Sequence, residues 1–293
     1  MDIGIIGIGL MGHAFVERFL SQGYTVRIFN RNPDNISDLA ENGVTVCATA
    51  DELISLSSTI ILMVSDAAAI NSLLHLEAPD DNCADKHSWL LGKTILQMAT
   101  ISPRQSKSID KAIASRGGRY LEAPVLGSIP EAKTGTLIIM AGGSKDVFKD
   151  VLPALKVLGT APRYIGDTGS AAALKLAMNQ LIASLTAGFS LSLGYTIKNG
   201  VDTDLFMDTV RESALYASTY DKKLQKYLDR DFDAANFSSR HLLKDIRLFI
   251  EDANAAGLNT DALQGIERIT GSTVENGLGQ MDYSSIYEVI CPE

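Results

Sequence analysis

Lys175 and Asn179 are the first residues whose types and spacing suggest chemistry. They lie in the stretch Gly166 to Asn199, where Lys175 is the only charged residue between Asp167 and Lys198. If the stretch is helical, a spacing of four puts both on one face. A lysine in such apolar company either snorkels to the surface or works, donating a proton and stabilising negative charge on an oxygen. An amide one turn on can orient a carbonyl group, or the lysine itself, without adding charge.

A second set is Gly7-Ile8-Gly9-Leu10-Met11-Gly12, a G-x-G-x-x-G directly after the apolar run IGIIG. Glycines there permit a tight turn and close backbone approach, so that the N–H groups at a helix start, those of Leu10 and Met11 among them, meet a pyrophosphate. The motif alone is weak. Between a strand and a helix, with a second strand at Tyr24 to Phe29, it is strong. At the end of that second strand an acid would bind the ribose 2′-hydroxyl of NAD. Asn30 and Arg31 stand there instead, and the planar arginine fork suits a 2′-phosphate. The cofactor read from these residues is NADP(H).

These residues need elements to hold them. Apolar runs predict strands at residues 3–7, 24–29, 44–47, 59–64, 94–98, 136–141 and 163–165, with helices between several of them. Phe15, Phe19 and Leu20 mark the apolar side of the first helix, which Gly23 closes. Residues 36–57 read as a helix, a short strand and a further helix. Ser102 with Pro103 reads as a helix start, and Gly142-Gly143 as a turn. Ligands of open α/β sheets sit beyond the carboxyl ends of strands, which places Met63, Val64 and Thr100 beside the cofactor. Gly127-Ser128 offers backbone N–H groups and a hydroxyl able to hold a small carboxylate, or forms an ordinary turn. The polar, acidic residues 77–88 read as a surface loop.

A helix over residues 169–198 would be roughly 45 Å long. Its near-continuous apolarity predicts burial on all sides rather than a membrane span. Beyond Gly200 the strand signals stop, and residues 202–216, 219–228, 238–256 and 260–277 have helical periodicity. The expected fold is thus an α/β Rossmann-type domain over 1–165 and an all-α domain over 166–293, joined by the long helix.

A hydrophobic content of 46% and a charged content of 21% suit a soluble protein, and a net charge of −9 argues against a nucleic-acid partner. Cys47, Cys83 and Cys291 suggest no disulfide framework, and His13, His75, His87 and His241 lack metal-ligand spacing. No metal is expected. With Asp2 leading directly into the first strand, no secretory leader is expected either, and the expected compartment is the cytosol.

Four blocks in order, GIGLMGHAF at 7–15, EAPVLGSIPEAKTGTL at 122–137, GDTGSAAALKLAMNQ at 166–180 and KDIRL at 244–248, resemble the β-hydroxyacid dehydrogenases. That family includes 3-hydroxyisobutyrate dehydrogenase and the glyoxylate/succinic semialdehyde reductases, and the resemblance covers essentially the whole chain. It implies that Lys175 is catalytic, that Asn179 helps hold the substrate, that Lys244 contacts the cofactor and that Thr100 lies at the nicotinamide. It also implies a homodimer or homotetramer, with the helical half packed against another subunit. One position departs: Leu126 stands where the family's Pro-Val-Ser-Gly has a serine that helps bind the substrate carboxylate. Gly127 and Ser128 remain, in a G-S-x-P variant closer to the semialdehyde reductases. The related imine reductases typically lack the lysine, so Lys175 favours a carbonyl substrate.

The expected activity is NADPH-dependent reduction of small aldehyde acids such as glyoxylate or succinic semialdehyde, with Lys175 as general acid. Two alternatives stand beside it: an NADP-linked dehydrogenase of a 3-hydroxyisobutyrate-like or bulkier hydroxy compound, and a catalytically silent dinucleotide-binding regulatory subunit.

Overall fold

The computed structural model describes residues 2–32, 36, 38–39, 43–76 and 89–293. The chain falls into two compact units, Met1–Lys175 and Leu176–Glu293.

In the first unit, strands and helices alternate: β1 (Asp2–Ile6), α1 (Leu10–Ser21), β2 (Thr25–Phe29), β3 (Thr45–Val46), α2 (Ala50–Leu56), β4 (Thr59–Leu62), α3 (Ala67–Leu73), β5 (Thr94–Gln97) and α4 (Pro103–Ala114). There follow β6 (Arg119–Glu122), β7 (Val125–Leu126), α5 (Ile129–Thr134), β8 (Ile138–Gly143), α6 (Lys145–Leu158) and β9 (Arg163–Gly166). The sheet order is β3-β2-β1-β4-β5-β6-β8-β7, with β9 against β8. Strands β3 to β6 along that path are parallel, while β8 runs antiparallel to β6 and to β7. The order reverses between β1 and β4, the switch point at which such sheets bind ligands.

Side chains alternate across the strands. Ile5, Ile61 and Leu96 pack with Phe15 and Phe19 of α1 and Leu155 of α6. Their neighbours Ile6, Ile60, Leu62 and Ile95 pack with Leu53 of α2, Ile70 of α3 and Ile109 and Ile113 of α4 on the other side. Both faces of the sheet are therefore covered, which is why its central strands are nearly continuous apolar runs.

Helix starts carry local signals. Thr49, Asp66 and Ser144 cap α2, α3 and α6 through side-chain oxygens. Ser102 and Gln105 form a reciprocal capping box with Pro103 in the first turn of α4. Gly23 has φ +75°, the left-handed geometry that closes α1.

Some expectations need correction. Gly142 and Gly143 are not a turn but the last two residues of β8, paired with Glu122 and Leu121. A Cβ on Gly142 would collide with Glu122 Oε1, so the glycine makes room for a carboxylate. The short α5 had a sequence signal that went unread, Ser128-Ile129-Pro130-Glu131, a capping box with proline in the first turn. The helix expected from residue 36 falls largely on residues outside those described, as does the loop expected at 77–88.

The division between the units falls inside α7 (Ser170–Lys198). The second unit continues with α8 (Thr203–Glu212), α9 (Ser218–Asp229), α10 (Ser239–Ala255), α11 (Asp261–Glu275) and α12 (Tyr287–Ile290), and contains no strand element. Phe189 and Leu193 of α7 pack with Met207, Tyr227 and Tyr287, and Ala183 packs with Leu242, Ile246 and Leu263. The expectation that α7 is buried on all sides is wrong within a single chain. Leu181, Leu185, Leu191 and Tyr195 are exposed on it, Leu191 by 63% and Tyr195 by 69%. By length and composition alone, α7 is the one helix among the described residues able to cross a membrane. Its buried Phe189 and Leu193, however, are those of a helix packed in a protein core.

Candidate active site

One group of candidate residues is the turn from β1 into α1 in the first unit. Gly7 has φ +95°, and a Cβ there would collide with the Met63 carbonyl at the end of β4. A Cβ on Gly12 would collide with the Gly7 carbonyl. Both glycines are thus required by the protein's own packing. Gly9 is different: a Cβ there would meet nothing within 4 Å, and its φ of −84° is open to any residue. A glycine here leaves the backbone open to a group from outside the chain, such as a phosphate.

Helix α1 starts at Gly9 with no side-chain cap and no acid in its first turn. The N–H groups of such a start are donors for an anion, assisted by the helix dipole. Residues 7–12 therefore fit a dinucleotide pyrophosphate, with Leu10 exposed and Met11 half-buried beside it.

Asn30 proves to be a part of this loop. Its Oδ1 accepts the Ile8 N–H at 3.0 Å, and its Nδ2 donates to the Asn32 carbonyl at 2.8 Å. It braces the glycine turn and the Arg31-Asn32 turn together, and leaves Arg31 exposed next to them. Met63 and Val64 follow the end of β4 and Thr100 lies shortly after β5; all three are half-buried. They stand at the carboxyl ends of adjacent parallel strands, as the switch-point rule expects.

A second group of candidate residues lies on α7 and α10. Lys175 is half-buried on α7, and Asn179 follows one turn later, 3% exposed. Asn179 Nδ2 donates to Asp245 Oδ2 at 2.6 Å. A carboxylate only accepts, so this bond fixes which way the amide faces. Asn179 Oδ1 is then a buried acceptor with no hydrogen-bond partner among the described residues. Such an orphan costs free energy unless something supplies a donor. Lys244, half-buried, lies with Nζ 2.8 Å from Asp245 Oδ1, an ion pair off the direction of a hydrogen bond. Asp245 therefore links Asn179 to Lys244. Sequence reading quoted Asp245 within KDIRL but gave it no role, since its partner Asn179 is 66 residues away.

Leu126 is half-buried in β7 and Gly127, exposed, has φ +130°. Both donors of Ser128 turn toward one acceptor: its N–H and hydroxyl lie 2.8 and 2.6 Å from Glu131 Oε2. The Gly127-Ser128 step is thus engaged in starting α5. Among the described residues no cluster of metal-ligating side chains occurs.

Comparison with known proteins bears on both groups. Residues 2–166 match the family described as the NAD binding domain of 6-phosphogluconate dehydrogenase, and residues 169–290 the one described as NAD-binding of NADP-dependent 3-hydroxyisobutyrate dehydrogenase. Glyoxylate/succinic semialdehyde reductase 1 of Arabidopsis thaliana is 30% identical over 290 residues, 99% of this chain and 98% of the relative. The mitochondrial 3-hydroxyisobutyrate dehydrogenase of Drosophila melanogaster is 27% identical over 299 residues, covering 100% of this chain and 90% of the relative. A solved 3-hydroxyisobutyrate dehydrogenase from Salmonella typhimurium shares the fold, with a TM-score of 0.85 over 99% of both chains at 22% identity.

Proposed function

The chain belongs to the 3-hydroxyisobutyrate dehydrogenase family and is an NAD(P)-dependent oxidoreductase of the hydroxyacid dehydrogenase type, and from that premise we propose that it reduces small aldehyde acids with NADPH. The observation that carries the reading is the buried, orphaned Oδ1 of Asn179, one helical turn from Lys175. A helix that merely let a lysine reach solvent would have no use for a fixed amide beside it.

The residues divide the work as follows. Gly7, Gly9, Leu10, Met11 and Gly12 hold the pyrophosphate, and Arg31, oriented by the turn that Asn30 braces, pairs with the 2′-phosphate. Met63, Val64 and Thr100 line the nicotinamide side, and Lys244 contacts the cofactor, as its place in KDIRL suggests. When bound, the reduced nicotinamide supplies a hydride to the carbonyl carbon. As that carbon is reduced, negative charge grows on the oxygen. The Lys175 ammonium donates a hydrogen bond to it and then the proton, and the resulting amine takes a proton back from solvent. Asn179 Oδ1 accepts from the ammonium or from a substrate hydroxyl. Leu126 supplies apolar contact beside this step, and Gly127 stays open to the carboxylate. With Ser128 turned to Glu131, carboxylate recognition through this step requires Ser128 to change partners.

The exposed Leu181, Leu185, Leu191 and Tyr195 of α7 are suited to burial against a second copy, and we assign the homo-oligomer to that face. Cys47 and Cys291, both buried free thiols, fit a reducing compartment such as the cytosol.

NADPH oxidation against glyoxylate, succinic semialdehyde and methylmalonate semialdehyde tests the substrate class, and a protein silent against the whole panel would favour the regulatory reading. Lys175→Met tests the chemistry, because it keeps the aliphatic stem and removes charge and proton. It is expected to bind NADPH, to melt near or above the parent, and to lose about 10²–10⁴ in kcat. Near-normal turnover would sink this mechanism and leave the fold assignment untouched.

A further inference from the structure

Glu122 ends β6 and is fully buried. A buried carboxylate is tolerated only when hydrogen bonds replace its water, and here both oxygens are bonded. Oε1 accepts the backbone N–H groups of Gly169, Ala171 and Ala172 at 2.9, 2.8 and 3.2 Å. Oε2 accepts the hydroxyl of Ser106 on α4. That engages the single proton of Ser106, so in its 2.8 Å contact with Tyr120 the phenol is the donor. Burial pushes the Tyr120 phenol well above its ordinary range, which keeps that proton in place.

This arrangement closes the account of the first turn of α7. The Ser170 N–H goes to the Asp167 carbonyl and the Ala173 N–H to the Gly169 carbonyl, both at 3.0 Å. The remaining three N–H groups between Gly169 and Ala173 go to Glu122. A 29-residue helix therefore takes its anchor from a strand 47 residues upstream. The negative charge also suits the positive end of the helix dipole. Lys175 follows Ala171 and Ala172 by four and three residues, so it stands on the anchored face, about 4.5–6 Å further along the axis.

We propose that Glu122 is a positioning residue for the reaction: by fastening the first turn of α7 to the end of β6, it fixes the rotation and height of the helix from which Lys175 projects. The proposal rests on the reading of Lys175 as proton donor. Strand β6 lies in register beside β5, with Gln97 opposite Glu122. The anchor thus belongs to the same sheet whose strand ends carry Met63, Val64 and Thr100. Gly142 is the second half of the device, since any Cβ there would displace the Glu122 carboxylate. A helix free to turn or slide by an ångström would misplace the ammonium, an error that costs about a hundredfold in rate.

The test uses Glu122→Ala, Glu122→Gln and Gly142→Ala in the full chain, assayed with the aldehyde acid that the parent reduces fastest. Glu122→Ala is expected to lower kcat about 10- to 100-fold while the Kd for NADPH stays within about twofold. Amide exchange at Gly169, Ala171 and Ala172 should accelerate. Glu122→Gln keeps an acceptor for the three N–H groups and offers its amide to Ser106, so it should recover most of the loss. A purely structural role would lower melting temperature without separating kcat from NADPH binding and would show no such rescue. If Glu122→Ala does not fold, Gly142→Ala carries the same readouts. A folded, NADPH-binding Glu122→Ala or Gly142→Ala with kcat within about twofold of the parent, or unchanged amide exchange, overturns the proposal. The Lys175→Met result is read separately. An active Lys175→Met would refute the proton-donor reading, whereas an inactive one beside an unaffected Glu122→Ala would refute the anchor alone.

Discussion

Two helices that start in the first unit, α1 and α7, treat their first turns in opposite ways. Helix α1 begins at a glycine with no side-chain cap and no acid in its first turn. Helix α7 begins with three N–H groups closed on one buried carboxylate. Every helix start exposes N–H groups that need acceptors, and the chain answers that need from within at α7 and withholds the answer at α1. The start left uncapped is the one to which the proposed function gives an anionic ligand. The start that is capped from a distant strand is, in the proposal above, a fastening for the residue one turn beyond it. A third start, α4, is capped locally, by its own Ser102 and Gln105.

The contrast can be broken most severely by giving α1 what α7 has. Gly9→Asp puts a carboxylate where it can cap α1, at a position whose Cβ would meet nothing within 4 Å. Helix stability should hold, since Asp and Gly differ by only a few tenths of a kcal/mol at this position. NADPH affinity should fall by about a hundredfold or more, because charge-assisted bonds of about 1.5–3 kcal/mol each are lost and like charges meet. Fluorescence titration with NADPH beside a melting curve measures both, and undiminished affinity would refute the assignment of the pyrophosphate to this turn.

Gly12→Ala attacks the same loop from its packed side. The added methyl meets a backbone carbonyl that cannot swing away, so about 3 kcal/mol of stability should go, visible in denaturant melts before any ligand is added. The pair Gly9 and Gly12 thereby separates a glycine kept for a ligand from one kept for the fold. A Gly12→Ala protein as stable as its parent would contradict the close approach described here.

Arg31→Ala should raise the KM for NADPH by the equivalent of about 1.5–3 kcal/mol and leave that for NADH nearly unchanged. A parent that prefers NADH would show the reading of Asn30 and Arg31 to be wrong. The smallest effect is expected at Leu126. Leu126→Ser restores a hydroxyl beside Gly127 and should improve kcat/KM for short aldehyde acids by about 1 kcal/mol. No gain with any of the three aldehydes would mean that the carboxylate is held elsewhere, as the engagement of Ser128 by Glu131 already suggests.

Much of the fold was legible in advance. The βαβ start, the parallel strands, the Ser102–Pro103 helix start and the extent of α7 all rest on local signals: apolar period, capping residues and glycines at left-handed positions. Lys175 and Asn179 could be singled out for the same reason, since a charge and an amide four apart in an apolar helix are visible in one dimension. Where a local signal was weak, reading failed. Gly142-Gly143 looks like a turn and is strand, because its neighbour Glu122 fills the volume that side chains would have taken. Helix α7 looks apolar throughout and is sided, because only tertiary packing chooses which leucines face the core of the helical unit.

The sequence by itself determined the chemical inventory: an NAD(P)-type glycine turn, an arginine in place of an acid after β2, and a lysine with an amide one turn beyond it. Tertiary structure alone decided the partnerships. Glu122 and Gly169 are 47 residues apart, and Asn179 and Asp245 are 66. A hydrogen bond requires donor and acceptor within about 3 Å, and at such separations that distance is set by sheet register and helix packing rather than by anything adjacent residues encode. Sequence can supply a buried acid or amide; only the folded chain determines which N–H groups the acid must satisfy and whether the amide oxygen is left to receive a proton donor.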